Sequence, residues 1–261
     1  MTPPTTPATN AANNLQKEAG NDLVISFLAL RNLIGISGML LPVILTLLTP
    51  RAQQDKVMEH SISEYYYTSN GDILVVLLSV IGVFLLTYKG YNELWERVLT
   101  ILAAVGAIGV AFFPTATEIG NSLSIHKVKA EVPEVFGLEW HYVFAGVFFL
   151  ALAIISLHYF PKTYDKSCLQ TASGKQTAKA KRNVVFRLCG WIMIACLGLM
   201  ILYLAIKPES LKDKPVIFIL ETIAVEAFGV SWITKGETLW PDGEHYMKRG
   251  FAKMKDTLAS A

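Results

Sequence analysis

Charge is scarce in this sequence. Only 17% of its residues are Asp, Glu, Lys or Arg, against roughly a quarter in an ordinary soluble domain. Hydrophobic residues make up 52% and the mean hydropathy is +0.41. A chain of 261 residues with so little charge reads as a membrane protein. Its formal net charge is only +2, and its basic residues sit in a few connectors rather than along one face, which excludes a nucleic-acid binder. Cysteine is nearly as rare. Cys168 stands in a polar connector, while Cys189 and Cys196 share one apolar segment. No disulfide framework and no CxxC metal motif is expected, and all three read as small packing residues. The N-terminus MTPPTTPATNAANN has no basic region leading into an apolar core, so residues 1–20 read as a disordered tail rather than a signal peptide. There is no internal repeat and no inverted pair of broken helices, which argues against alternating access.

What is present is a series of apolar runs. Six approach the roughly 20 residues a helix needs to cross about 30 Å of hydrocarbon: Asn32 to Leu48, Asp72 to Tyr88, Arg97 to Phe113, His141 to Phe160, Leu188 to Ile206 and Val216 to Ile233. The spacing predicts an all-α, polytopic six-helix domain over residues 21–235. The first helix can begin earlier, because NDLVISFLALR offers Asn21 or Asp22 as a cap and Arg31 can snorkel. Pro42 inside it implies a kink. Residues 236–261 read as a cytoplasmic tail able to form an amphipathic helix with Phe251, Met254 and Leu258 on one side.

Lys and Arg in the connectors set the orientation, since basic segments stay in the cytoplasm. With both termini inside, the inner segments hold 16 of the 23 Lys and Arg, and the outer connectors hold seven. The inner connector DKSCLQTASGKQTAKAKR then reads as a flexible topogenic segment that can touch anionic headgroups, and HSISEYYYT, residues 60–68, faces outward.

That outer side collects titratable groups: His60, Ser61, Ser63, Glu64 and Asp72 around the first connector, Glu118 and His126 in the second, and His141 opening the fourth helix. Tyr65, Tyr66 and Tyr67 read either as an aromatic belt at the headgroups or as the wall of a pocket. The last helix, PVIFILETIAVEAFGVSW, carries two carboxylates. Glu221 lies about 9 Å and Glu226 about 16 Å beyond Pro215, at roughly 1.5 Å per residue. A carboxylate at such depth faces the protein interior or a hydrated cavity. The two are about 140° apart around the helix and so do not form one catalytic pair. Ser61, Ser63, Glu64, Tyr65, Asp72, His141 and Glu221 outline a polar ligand pocket open to the outside. Glu226 would need a deeper partner of its own, or a protonated state. Each carboxylate has a second reading, as one partner in an interhelical hydrogen bond.

The order of these features resembles the six-helix family that includes the damage-regulated autophagy modulators and the GPI-lipid remodelling factor related to them, with bacterial membrane proteins of unknown function. The resemblance rests on Ser61, Ile62, Ser63 and Glu64 before the second helix, on FFP at 112–114, and on HYVFAGVFF at 141–149. It implies a lipid-related role. The Tyr-Tyr-Tyr continuation, in place of the Thr-Gly of the eukaryotic branch, implies a different ligand. A weaker resemblance, to membrane-embedded zinc hydrolases of the alkaline ceramidase type, implies zinc held by His141 and Asp72, with Glu221 replacing a histidine and His60 as a further ligand. The His-x-x-x-His pair of those enzymes is missing.

Three functions follow as expectations. The first is binding or moving a lipid or other amphiphile, with His141, Asp72 and Glu221 recognising the polar head. The second is metal-dependent hydrolysis of a lipid ester or amide. The third is a channel or proton-coupled transporter using Glu226, with Ser231, Thr234 and Lys235 below it. Membrane lipids are the expected partners. The small-residue run AAVGAIGVA offers a packing face for a partner or a second copy. The short connectors and low cysteine count suit a bacterial inner membrane.

Overall fold

The structure, a computed structural model, describes residues 22–49, 58–88, 90, 93–115, 134–135, 138–162 and 177–240. The tail at 1–20, Glu118, His126, residues 163–176 and the tail from 241 onward lie outside them.

Six long helices carry the fold among the described residues: α1 (Asp22–Leu48), α2 (Gly71–Thr87), α3 (Leu94–Phe112), α4 (Trp140–Ile154), α5 (Ala178–Ile206) and α6 (Val216–Lys235). A π-turn, Ile155–Tyr159, continues α4, and a 3-10 turn, Ser63–Tyr67, lies between α1 and α2. The only strands among the described residues are a two-residue antiparallel pair, Glu134–Val135 with Leu138–Glu139, just before α4. Five of the helices are long and apolar enough to cross a membrane: Leu28–Leu48, Leu94–Phe112, Trp140–Tyr159, Ala178–Ile206 and Val216–Lys235. Helix α2 is equally apolar but has only 17 residues. The protein is an all-helical integral membrane protein.

Helix limits follow local chemistry. α1 starts at Asp22 and runs unbroken through Pro42. The Thr46 hydroxyl donates to the Pro42 carbonyl at 2.8 Å. α5 begins ten residues before the apolar run, because the Thr177 hydroxyl caps it by accepting from the Ala180 N–H. The AKAKR segment, expected in a flexible connector, is therefore helix. α5 ends where Lys207 turns left-handed, at φ 46°, before Pro208, which cannot donate a backbone hydrogen bond.

Each helix packs on the next in sequence, and α6 returns to α1, closing a ring. Small residues set the closest approaches. A Cβ at Gly109 of α3 would enter the Phe144 ring of α4, and one at Gly106 would lie 2.8 Å from the Phe148 nitrogen. The AAVGAIGVA face is thus used inside the chain, against α4. Trp232, 1% exposed, sits within 5.2–6.2 Å, ring to ring, of Phe84, Tyr88, Phe160 and Phe228. Cys189 and Cys196 are buried, free and part of the core.

The two ends of the ring differ. At one end, cationic side chains donate to backbone carbonyls: Arg97 to Tyr88 at 2.9 Å, Lys179 to Phe160 at 3.1 Å and Arg182 to Trp240 at 2.5 Å. Lys162 pairs there with Glu93, and Arg31 reaches the Tyr88 hydroxyl and ring. The other end holds the connector 58–70 and the starts of α2, α4 and α6.

Candidate functional site

The connector after α1 is pinned to α6 through its backbone. The Phe218 N–H donates to the His60 carbonyl at 2.8 Å, and the Ile62 N–H donates to Glu221 Oε2 at 2.6 Å. Glu221 can act from the α6 side because it stands just over one turn into that helix, opposite Ile62, the residue before the 3-10 turn, whose N–H needs an acceptor outside that turn. Within the connector, Glu64 closes a small loop. Its carboxylate accepts from the His60 N–H at 3.0 Å, and its own N–H donates to the Ser61 hydroxyl at 3.2 Å.

The 3-10 turn then directs Ser63 inward to His141, which is 2% exposed at the start of α4. The Ser63 hydroxyl lies 2.8 Å from His141 Nε2, and His141 Nδ1 lies 2.7 Å from the Phe113 carbonyl at the end of α3. A carbonyl only accepts, so Nδ1 carries the proton. In the neutral ring Nε2 is then an acceptor, and Ser63 donates to it. Three elements thus converge on one oriented imidazole.

Two cavities adjoin at this point. The larger, about 230 Å³, is polar: His60, Ser61, Glu64, His141 and Glu221 line it. Thr115, Tyr142, Tyr203, Lys212 and Lys214 complete its polar wall. The Thr115 hydroxyl is buried and has no hydrogen-bond partner among the described residues. The smaller, about 40 Å³, is an apolar slot between Leu41, Leu74, Leu78, Phe148 and Val225, and Ile62, Ser63 and Glu221 also line it. Glu221 therefore borders both. The Ser63 to His141 hydrogen bond crosses from the slot to the polar cavity.

The structure gathers Ser61, Ser63, Glu64, His141, Glu221 and His60 here, but not the other residues expected in the pocket. Tyr65 is fully buried in the core, against Phe218 at 6.0 Å and with its hydroxyl 3.3 Å from Thr46. Tyr67 donates to the Thr115 carbonyl at 2.6 Å. Burial, with Tyr66 and Glu139 nearby, raises the Tyr67 phenol above its ordinary value, keeping it a donor. The tyrosines are braces rather than a pocket wall. Asp72 is exposed on α2, and Glu226 is half-buried on another side of α6; neither borders either cavity.

The residues do not fit the zinc set. His141 uses both ring nitrogens on Ser63 and Phe113, Asp72 is not in the cavity wall, and no three of His, Cys, Asp and Glu among the described residues form a metal-holding group. Below Glu226, Ser231 bonds Ser156 of the π-turn at 2.6 Å and Thr234 donates to the Val230 carbonyl of its own helix at 2.7 Å, so both hydroxyls are taken up by neighbouring groups rather than lining a polar file.

Sequence reasoning missed Tyr142, Tyr203, Lys212, Lys214 and Thr115. Lys212 and Lys214 were legible as outer-connector charges, but nothing in the sequence showed that the connector folds over this cavity.

The family model described as Protein of unknown function (DUF998) matches residues 29–234. The chain belongs to this family. The match runs from within α1 to one residue short of the end of α6 and takes in every residue of the site. No curated protein and no solved structure matches the chain.

Proposed function

We propose that this DUF998 protein binds or moves a lipid or other amphiphile, with the polar head in the larger cavity and the start of the tail in the apolar slot. The observation that carries this reading is the pairing of the two cavities across one carboxylate, Glu221. A polar chamber alone would suit a soluble solute, and an apolar slot alone would be a packing defect. Together they match a molecule with both characters. Lys212 and Lys214 add positive charge at the polar mouth, which suits an anionic or zwitterionic head, and the partnerless Thr115 hydroxyl is a hydrogen-bonding group that a bound head would satisfy.

In this reading all six helices span the membrane, both termini are cytoplasmic, the site opens outward, and the membrane is a bacterial inner membrane. The end opposite the site carries most of the connector Lys and Arg, as the positive-inside rule requires. Helix α2 crosses despite its 17 residues because the connector before it is itself folded into the ring.

Lipid mass spectrometry on the purified protein tests the proposal. The expected result is a defined amphiphile at close to one per chain in the native protein, strongly reduced by Glu221→Gln. Equal, nonspecific lipid in both would overturn it.

A further inference from the structure

We propose that Ser63 is an acyl-accepting nucleophile and His141 its general base and acid, making the site a metal-free acyl-ester hydrolase for the amphiphile it holds. This rests on the binding reading above and names its substrate class. The argument starts from geometry. A serine hydroxyl within 2.8 Å of an imidazole nitrogen, with the other nitrogen fixed at 2.7 Å by a third group, has the arrangement that activates a serine. Here the third group is the Phe113 carbonyl. It holds the proton on Nδ1 and leaves the Nε2 lone pair on Ser63, the tautomer that a general base requires.

Position strengthens the case. Ser63 borders the apolar slot and His141 the polar cavity, so the hydrogen bond lies at the junction between them. In an acyl lipid the ester carbonyl lies at the same junction, between head and hydrocarbon. A bound amphiphile would place its ester, rather than its head or tail, beside Ser63.

The chemistry closes with water as the only co-reactant. Ser63 Oγ forms a bond to the ester carbonyl carbon as its proton passes to His141 Nε2. Collapse of the tetrahedral adduct breaks the bond to the head-group oxygen, which takes the proton from Nε2 and leaves as an alcohol. Water then adds to the acyl carbon while giving a proton to Nε2. The bond to Ser63 breaks, the proton returns to Oγ, and a fatty acid is released.

A long-chain alkyl fluorophosphonate, which bonds to activated serines, tests this on the detergent-purified full chain. Intact mass and peptide mapping should find one adduct per chain on the peptide bearing Ser63. His141→Ala should slow labelling by roughly 100-fold or more, the lower range for losing a general base, and Ser63→Ala should abolish it. An unlabelled native protein, or an adduct elsewhere, overturns the acyl-transfer role. Mapping the native chain decides this even if a variant fails to fold. Lipid mass spectrometry on the same preparation separates the two proposals: retained amphiphile without adduct leaves binding standing and removes hydrolysis, while neither signal removes both.

Discussion

At the scale of single residues, Glu221 and Glu226 show how little a shared side-chain type decides. Both sit on α6 among apolar neighbours, five positions apart. Glu221 accepts a backbone N–H at 2.6 Å and borders both cavities, whereas Glu226 borders neither. Glu221→Gln keeps one oxygen acceptor but turns the other carboxyl oxygen into an amide donor at the junction of the two cavities. Losing one hydrogen bond to a bound head costs about 1–1.5 kcal/mol, so amphiphile retention should fall by up to roughly tenfold, while Glu226→Gln should leave it unchanged. Bound lipid per mole of protein measures both, and a matching loss in the two variants would mean that bilayer depth alone matters. The same scale explains the tyrosines. Tyr67→Phe should lower stability by about 1 kcal/mol, the worth of one hydrogen bond, read as a lower melting midpoint with lipid retention kept.

At the scale of elements, small residues govern how α3 and α4 meet. A methyl at Gly109 enters the Phe144 ring, whereas at Gly198 on the outward side of α5 a Cβ meets nothing within 4 Å. Gly109→Ala should therefore cost roughly 1–3 kcal/mol through overpacking, and Gly198→Ala should hold or raise the melting midpoint, since alanine favours a helix by about 1 kcal/mol over glycine. Thermal melts of the two variants in one detergent would show opposite signs. The contrast carries a consequence for the site: α3 supplies the Phe113 carbonyl and α4 supplies His141, so spreading these helices lengthens the 2.7 Å contact that orients the imidazole.

For the whole molecule, the closed ring puts unlike chemistry at its two ends. One end is tied by Arg and Lys donating to carbonyls. The other is tied by carboxylates accepting N–H groups from the connector. Orientation in the membrane is testable through native Cys168. A membrane-impermeant maleimide should leave it unmodified in intact cells and modify it after permeabilisation. Ser69→Cys, placed in a Cys168→Ser background, should react in intact cells. The reverse pattern would invert the molecule and make the site cytoplasmic.

The sequence by itself determined the helical membrane character, the six apolar segments and their approximate limits, because hydrocarbon thickness imposes a run length that composition alone reveals. It also singled out Glu221, because a carboxyl group inside an apolar run must be satisfied by something, and Ser63 and His141, because they stand in a connector and at a helix start that gather polar groups on one side. Only the tertiary structure decided which of them meet. Asp72 and Tyr65 had the right residue type and the right position in the chain, yet helix rotation turns one outward and the turn geometry drives the other into the core. The decisive contact, a carbonyl at Phe113 holding His141 Nδ1, comes from backbone. Every residue carries a carbonyl, so no sequence pattern marks the one that a fold will use.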